Sequence, residues 1–500
     1  MSILRRVAAG VALAALSPAG PASAEWRRAE TPRFIVYSDG DARSLAEAAQ
    51  ELELYDSALR FMHGLDVNAA PARKLSIYLV GDTATLREVA PGASEMIRGF
   101  YRAGDEDIYA IAIRERRNMR TLLHEYAHHF MLQNFATGYP AWLVEGYAEY
   151  FGTAEVDSRQ ITIGMADANR QAWLGSANWL PLRDILTRHP SEFRTGEQVS
   201  QFYGQSWMLT HWFMSSPDRL LQLVVYADYL RGGMDPVEAL EAATGMSLSE
   251  LERAQRAYAG QRLALKRFSA TQFPQPSLEM TTLSPGASDL LLMNLRLSGG
   301  IAEADRAGVL NLIRTRAGAH PDDPFARTVL ARAEAAFGDA AAAEALMQTR
   351  LHTHPDDVDA LLLLARLRLK AAEEAVDRGL APAREARAYL VQAYEVDPER
   401  YQTLQALDDV RRMSSTYPTD NDIERLLIAH DLAPQVSSIR FAAAQAHVMR
   451  GEYAEAIRLL EPLAGDPHSV ATAEAARAMI ERARSRQDSA HEQEATSSGE

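Results

Sequence analysis

The chain has 500 residues, 47% of them hydrophobic and 24% charged. That length exceeds one ordinary core and calls for two or three domains, and the balance excludes collagen-like and wholly disordered chains. Its 52 Lys and Arg face 67 Asp and Glu, a net charge of −15 with no basic stripe, which argues against a nucleic-acid partner; with no cysteine, disulfides, thiol catalysis and cysteine-based zinc ribbons are excluded.

Residues 1–24 read as a signal peptide, with Arg5 and Arg6 ahead of an apolar run and small residues before Glu25. Removing those two positive charges takes −15 to −17. The run is too short to span a bilayer, and no later stretch approaches 18 apolar residues. An exported protein of bacterial type, periplasmic or secreted and without stable membrane insertion after cleavage, is expected.

Three β-rich runs follow at 34–37, 75–80 and 108–113. Between the first two, Leu45, Ala48, Leu52, Leu54, Leu59 and Met62 fit a helical better than a strand spacing over 41–64. From Met119 to about Tyr258 the pattern is mainly helical, broken at Gly138-Tyr139-Pro140 and Gly175-Ser176. Strands first and helices after predict an α+β domain over 25–265, built on an N-terminal mixed sheet.

His124-Glu125-Tyr126-Ala127-His128 reads His-Glu-x-x-His. On a helix, residues four apart share a face, so both imidazoles reach one tetrahedral Zn2+, and Glu125 is placed to take a proton from a water beside it. A third protein ligand is needed. Glu145 and Glu149, again four apart, follow Pro140 on an apolar helix with Trp142, Leu143, Val144, Tyr147, Tyr150 and Phe151. One carboxylate would ligate and the other would orient a ligating imidazole; spacing alone does not decide which.

With sixteen residues between His128 and the Glu of Trp142-Leu143-Val144-Glu145-Gly146, the stretch 30–260 resembles the gluzincin superfamily of zinc metallopeptidases. It is similar to the thermolysin-like and aminopeptidase-N-like branches and above all to the peptidase MA-like families of exported proteins. The resemblance implies a zincin-like catalytic fold, with Glu145 as third ligand, Glu149 as its outer partner and Glu125 as general base. The interval is slightly shorter than in the aminopeptidases, which touches loop detail. It also implies Tyr203, in Gln201-Phe202-Tyr203-Gly204 ahead of an apolar helix, as oxyanion donor, with His211 the competitor and more readily a core histidine. His129 points about 100° away from the ligand face and reads as structural or outer-shell. The Gly-x-Met-Glu-Asn strand of aminopeptidases is missing at 105–111, so aminopeptidase activity is not expected. The run 108–113 is the candidate edge strand for an extended peptide.

Pro274, Pro276 and Pro285 mark a linker over 266–284. Beyond it, His320-Pro321-Asp322-Asp323 recurs as His354-Pro355-Asp356-Asp357, a period of 34. Ala331, Ala343 and Met347, then Ala386, Leu390 and Ala393, repeat a small and large apolar series, and Pro398, Pro434 and Pro467 continue it. Region 285–486 therefore resembles a degenerate tetratricopeptide array, an all-α solenoid with extra residues between Ala372 and Ala381. The tail 487–500, without Lys, Arg or large apolar residues, is expected to be disordered.

The expectation is an exported zinc peptidase whose repeats bind a substrate or a protein partner. The alternatives are a non-catalytic repeat scaffold with a structural or idle metal site, and a zinc hydrolase of a non-protein substrate. Zinc binding alone does not need Glu125, which argues against an idle site.

Overall fold

A computed structural model describes residues 25–114, 119–135, 138–166, 168–175, 178–375, 380–466 and 469–497. The expected leader, Ser176, the middle of the expected insertion, Pro467 and the last three residues lie outside them.

The chain begins with β1 (Arg27–Glu30), β2 (Phe34–Ser38), α1 (Ala42–Met62), β3 (Leu75–Val80), α2 (Thr83–Val89), β4 (Gly99–Ala103) and β5 (Ile108–Ile113). These strands form a mixed sheet. β2, β3 and β5 run parallel, with Tyr37 opposite Tyr78 and Tyr78 opposite Ile111, while β4 and β1 pair antiparallel at either side. Ser44 N–H donates to the Asp41 carboxylate, which starts α1.

Helices α3 (Arg120–Asn134) and α4 (Ala141–Gly152) follow, then β6 (Glu155–Val156), β7 (Gln160–Ile163) and α5 (Ala168–Leu174). Next come α6 (Leu182–Thr187), α7 (Gly196–Phe213), α8 (Pro217–Arg231), α9 (Pro236–Thr244), α10 (Leu248–Ala259), β8 (Lys266–Ser269) and β9 (Glu279–Thr282). The order across the main sheet is β4-β5-β3-β2-β1-β9, and β6-β7-β8 make a small second sheet.

Two expectations are corrected here. Segment 266–284 is no linker: β8 pairs with β7 and β9 with β1, so it stitches both sheets. Nor is the run 108–113 the edge strand. β5 lies between β3 and β4, and all its residues are buried; the edge strand on that side is β4.

The remainder is helical: α11 (Pro285–Ser298), α12 (Arg306–Ala319), α13 (Pro324–Phe337), α14 (Ala340–Thr353), α15 (Val358–Glu374), α16 (Leu380–Val396), α17 (Tyr401–Arg412), α18 (Asp420–Leu432), α19 (Ser437–Met449), α20 (Tyr453–Ala464) and α21 (Val470–Ser497). From α12 onward, successive helices pack on one another. The repeated His-Pro-Asp-Asp has a local cause. Its last residue caps the next helix, Asp323 accepting from Ala326 N–H and Asp357 from Ala360 N–H, each at 3.0 Å. Ala331, Ala343, Met347, Ala386, Leu390 and Ala393 are all buried between helices. The expected disorder of the tail is also corrected: α21 runs over 487–497, a stretch without Gly or Pro that carries good helix formers.

One face of the main sheet packs on α1 and α3, with α4 stacked beyond them, and the other on α2 and α11. Among the described residues, no helix is long and apolar enough to cross a membrane.

Candidate metal centre

Helix α3 is pinned from below. Leu122, Leu123, Tyr126, Ala127, Phe130 and Met131 are buried, and the Tyr126 hydroxyl donates to Asp56 Oδ1 at 2.6 Å. Asp56 also takes the guanidinium groups of Arg60 and Arg33, each at 2.8 Å, and Arg33 pairs with Glu53 at 2.6 Å. This buried network locks the motif helix onto α1, which leaves His124 and His128 on the opposite, α4-facing side.

Every residue of α4 is buried, and two glycines let it lie between α3 and α7. A Cβ on Gly152 would meet His124 Cβ at 2.9 Å, and one on Gly146 would meet the Ser206 carbonyl at 2.5 Å and collide with the Thr210 hydroxyl. The close approach at Gly152 draws the two helices together beside the first imidazole.

The Nε2 atoms of His124 and His128 stand 3.1 Å apart. Glu145 Oε2 is 3.8 Å from the first and 3.7 Å from the second. One ligand atom from each of the three residues falls within 4.8 Å of the others. Ligands at about 2.0–2.1 Å on a tetrahedral ion stand roughly 3.3 Å apart, so small side-chain adjustments suffice to hold one. Two imidazoles and a carboxylate are the donor chemistry of a zinc site with a corner left open. Glu149 Oε1 lies 3.9 Å from the other ring nitrogen of His124, on the side where an orienting acceptor belongs.

Glu125 is half-buried beside the trio, and its Oε2 accepts the Tyr101 N–H at 3.0 Å. Burial pushes its carboxyl upward, against the opposing pull of His124 and of that N–H. Tyr101 belongs to β4, and the bond to Glu125 means that this N–H points away from β5, along the sheet's edge. The sequence carries no sign of Tyr101's part, because a backbone N–H makes the contact and almost any residue could supply it. The Tyr101 hydroxyl lies 3.0 Å from His129 Nδ1, and burial lowers the His129 pKa to about 4, which leaves a neutral ring. His129 thus faces the edge strand rather than the ligand trio.

His211 is committed elsewhere: its ring nitrogens meet the Tyr258 hydroxyl at 2.9 Å and the Gly164 carbonyl at 3.1 Å. Tyr203 stands on α7, half-buried, its ring 5.7 Å from that of Phe202. α7 runs antiparallel to α4, since Trp142 stacks on Phe213 while Gly146 meets Ser206. That register carries Tyr203 toward the Glu149 end of α4.

No curated protein matches the chain. Among solved structures it is similar to a thermophilic TPR protein of Thermus thermophilus, at 19% identity and a TM-score of 0.34, over 39% of this chain and 98% of that one. Residues 118–227 match the family described as a protein of unknown function (DUF1570), and this interval contains His124, Glu125, His128, Glu145, Glu149 and Tyr203.

Proposed function

We propose that the chain is an exported zinc-dependent peptidase of the gluzincin kind, with a zincin-like catalytic half and a tetratricopeptide-like array. The observation that carries this reading is the convergence of His124, His128 and Glu145, with Glu125 held beside them against the edge strand of a sheet. Zinc, when bound, supplies a Lewis acid that polarises a carbonyl and acidifies a water. The chain's own groups do the rest. The edge of β4 aligns an extended peptide by strand addition. Glu125 takes the proton of the attacking water and passes it to the leaving amine. Tyr203 donates to the oxygen on which charge develops, and Glu149 holds the His124 ring in its ligating orientation.

The test is zinc analysis of the mature chain with cleavage-site profiling on a peptide library. Wild type is expected to hold one zinc and to cleave, and Glu125→Gln to keep the metal while losing nearly all turnover. A chain that binds no zinc, or a Glu125→Gln variant as fast as wild type, overturns the reading. Tyr203→Phe is expected to lower kcat by about 10²- to 10³-fold, the usual cost of one oxyanion donor; an unchanged kcat removes Tyr203 from the mechanism.

A further inference from the structure

The tip of the β4–β5 hairpin, 104–107, carries three acids in a row, Asp105, Glu106 and Asp107. Such a tip should fray, since β4 is paired on one side alone and the acids repel one another. Instead it is gripped by the helical array. Tyr401 donates its hydroxyl to the Gly104 carbonyl at 2.7 Å, and Gln402 donates to the Glu106 carbonyl at 3.1 Å. Gln405 reaches Asp105 at 3.1 Å, joined there by Ser438. The Glu106 carboxylate takes Arg332 at 3.0 Å on one oxygen and Arg366 on the other. Arg332 and Arg366 are 34 residues apart, the repeat period, so equivalent positions of α13 and α15 converge on one carboxylate. Asp107 is held from its own side by Arg73 at 2.6 Å, which also reaches Gln402 at 3.4 Å.

Gly104 lies three residue steps along from Tyr101, about 10 Å of strand, and the Tyr101 N–H is the group that holds Glu125. We propose that the array is an internal brace: it grips the hairpin through Glu106 and so fixes the edge strand, and the Tyr101 N–H with it, against Glu125. Glu106 is then a positioning residue, and this surface of the array takes the chain's own acidic turn as its ligand. Two further contacts fit a brace that spans the site's surroundings. Gln435 donates to Gln133 of α3 at 3.0 Å, and Gly465 approaches the Tyr139 carbonyl, just before α4, so closely that a Cβ would stand 2.5 Å from it.

The kinetic part of this inference rests on the peptidase reading; the structural part does not. The experiment compares full-length wild type, Glu106→Arg, Glu106→Gln and the double variant Glu106→Arg with Arg366→Glu. Hydrogen exchange over 99–103, zinc content, kcat and KM are measured for each. Glu106→Arg is expected to keep its zinc, to exchange the β4 amides about tenfold faster, and to lose kcat by a similar factor, as a slightly misplaced base would. The double variant is expected to recover a large part of both. Unchanged β4 exchange in a folded Glu106→Arg chain, or no recovery in the double variant, overturns the brace. If Glu106→Arg fails to fold, Glu106→Gln carries the same comparison with a smaller effect. If wild type cleaves no peptide, the peptidase reading falls, and β4 exchange alone still decides the brace.

Discussion

A carboxylate buried on an apolar helix is costly unless something pairs with it, and α4 carries two, at Glu145 and Glu149. Their distances divide the work. Glu145 lies 3.7–3.8 Å from both facing imidazole nitrogens, while Glu149 stands 3.9 Å from the far nitrogen of His124. If the trio holds zinc as proposed, Glu145→Ala should abolish stoichiometric binding, whereas Glu149→Gln should weaken it by about 10- to 100-fold, the usual effect of losing an orienting partner. Competition with a chelator of known affinity measures both. Equal losses would mean that the two acids share one role. A second residue makes a pH-dependent forecast. Burial, then the nearby Glu47 and Asp157, push the Glu51 carboxyl up to about 7. A carboxyl raised in the folded state binds its proton more tightly there than in the unfolded chain. Its contribution is thus complete below about pH 4.5 and is lost as pH rises through 7. Glu51→Gln should match wild type near pH 4 and exceed its stability near pH 8 by about 1 kcal/mol, a figure discounted because the side chain is partly solvated. Denaturant melts at the two pH values check the sign.

At the level of elements, the centre depends on how closely α4 lies between α3 and α7, and glycine sets both distances. Gly152→Ala puts a methyl 2.9 Å from His124 Cβ and 3.0 Å from its Cα, so that α3 or α4 must shift to admit it. It is expected to cost about 1–3 kcal/mol of stability, as overpacking does, and to weaken zinc binding. Gly92→Ala, where nothing lies within 4 Å of the added atom, is the neutral control. If Gly152→Ala binds zinc as wild type does, the spacing of α3 and α4 is not what holds His124. The same elements explain what could be read in advance. His124, Glu125 and His128 are legible because helical period alone puts both histidines on one face. Glu145 and Glu149 obey that period equally, so spacing does not choose between them; the choice proposed above rests on a family resemblance and on the shorter distances of Glu145. The strands at 34, 75 and 108 announce themselves through β-branched and aromatic side chains. β4, β8 and β9 announce themselves less: Gly-Phe-Tyr-Arg-Ala, Lys-Arg-Phe-Ser and Glu-Met-Thr-Thr are short, and each holds only one or two such side chains among Gly, Ala or charged residues, while their pairing partners lie far along the chain or across a turn. The sequence pattern therefore predicts a linker at 266–284 and an edge strand at 108–113, where the fold has neither.

Across the whole molecule the boundary between the two halves dissolves in the core. Tyr401, Leu404, Ala429, Ala433, Val436 and Ile439 of the array belong to the same buried cluster as Tyr55, Tyr126, Trp142 and Phe151. On the sheet's other face, Leu291, Leu292 and Leu295 of α11 pack with Trp26, Val80 and Tyr109. Repeat arrays that contact only their own neighbours unfold by local rules; one that shares a core with a sheet should not. All 6 tryptophans, at 26, 142, 173, 179, 207 and 212, precede the array. Tryptophan fluorescence therefore reports the first half alone, while far-ultraviolet circular dichroism is dominated by helices of both. The two signals are expected to give one coincident denaturant transition, the mark of a single cooperative unit. Tyr401→Ala, which empties a nearly solvent-free site in the shared cluster, should lower that common transition by about 3–5 kcal/mol, the range for truncating a buried aromatic. A fluorescence midpoint that stays in place while the dichroism midpoint falls would show that the array melts on its own. The brace on the hairpin would then act through its polar contacts without a common core beneath them.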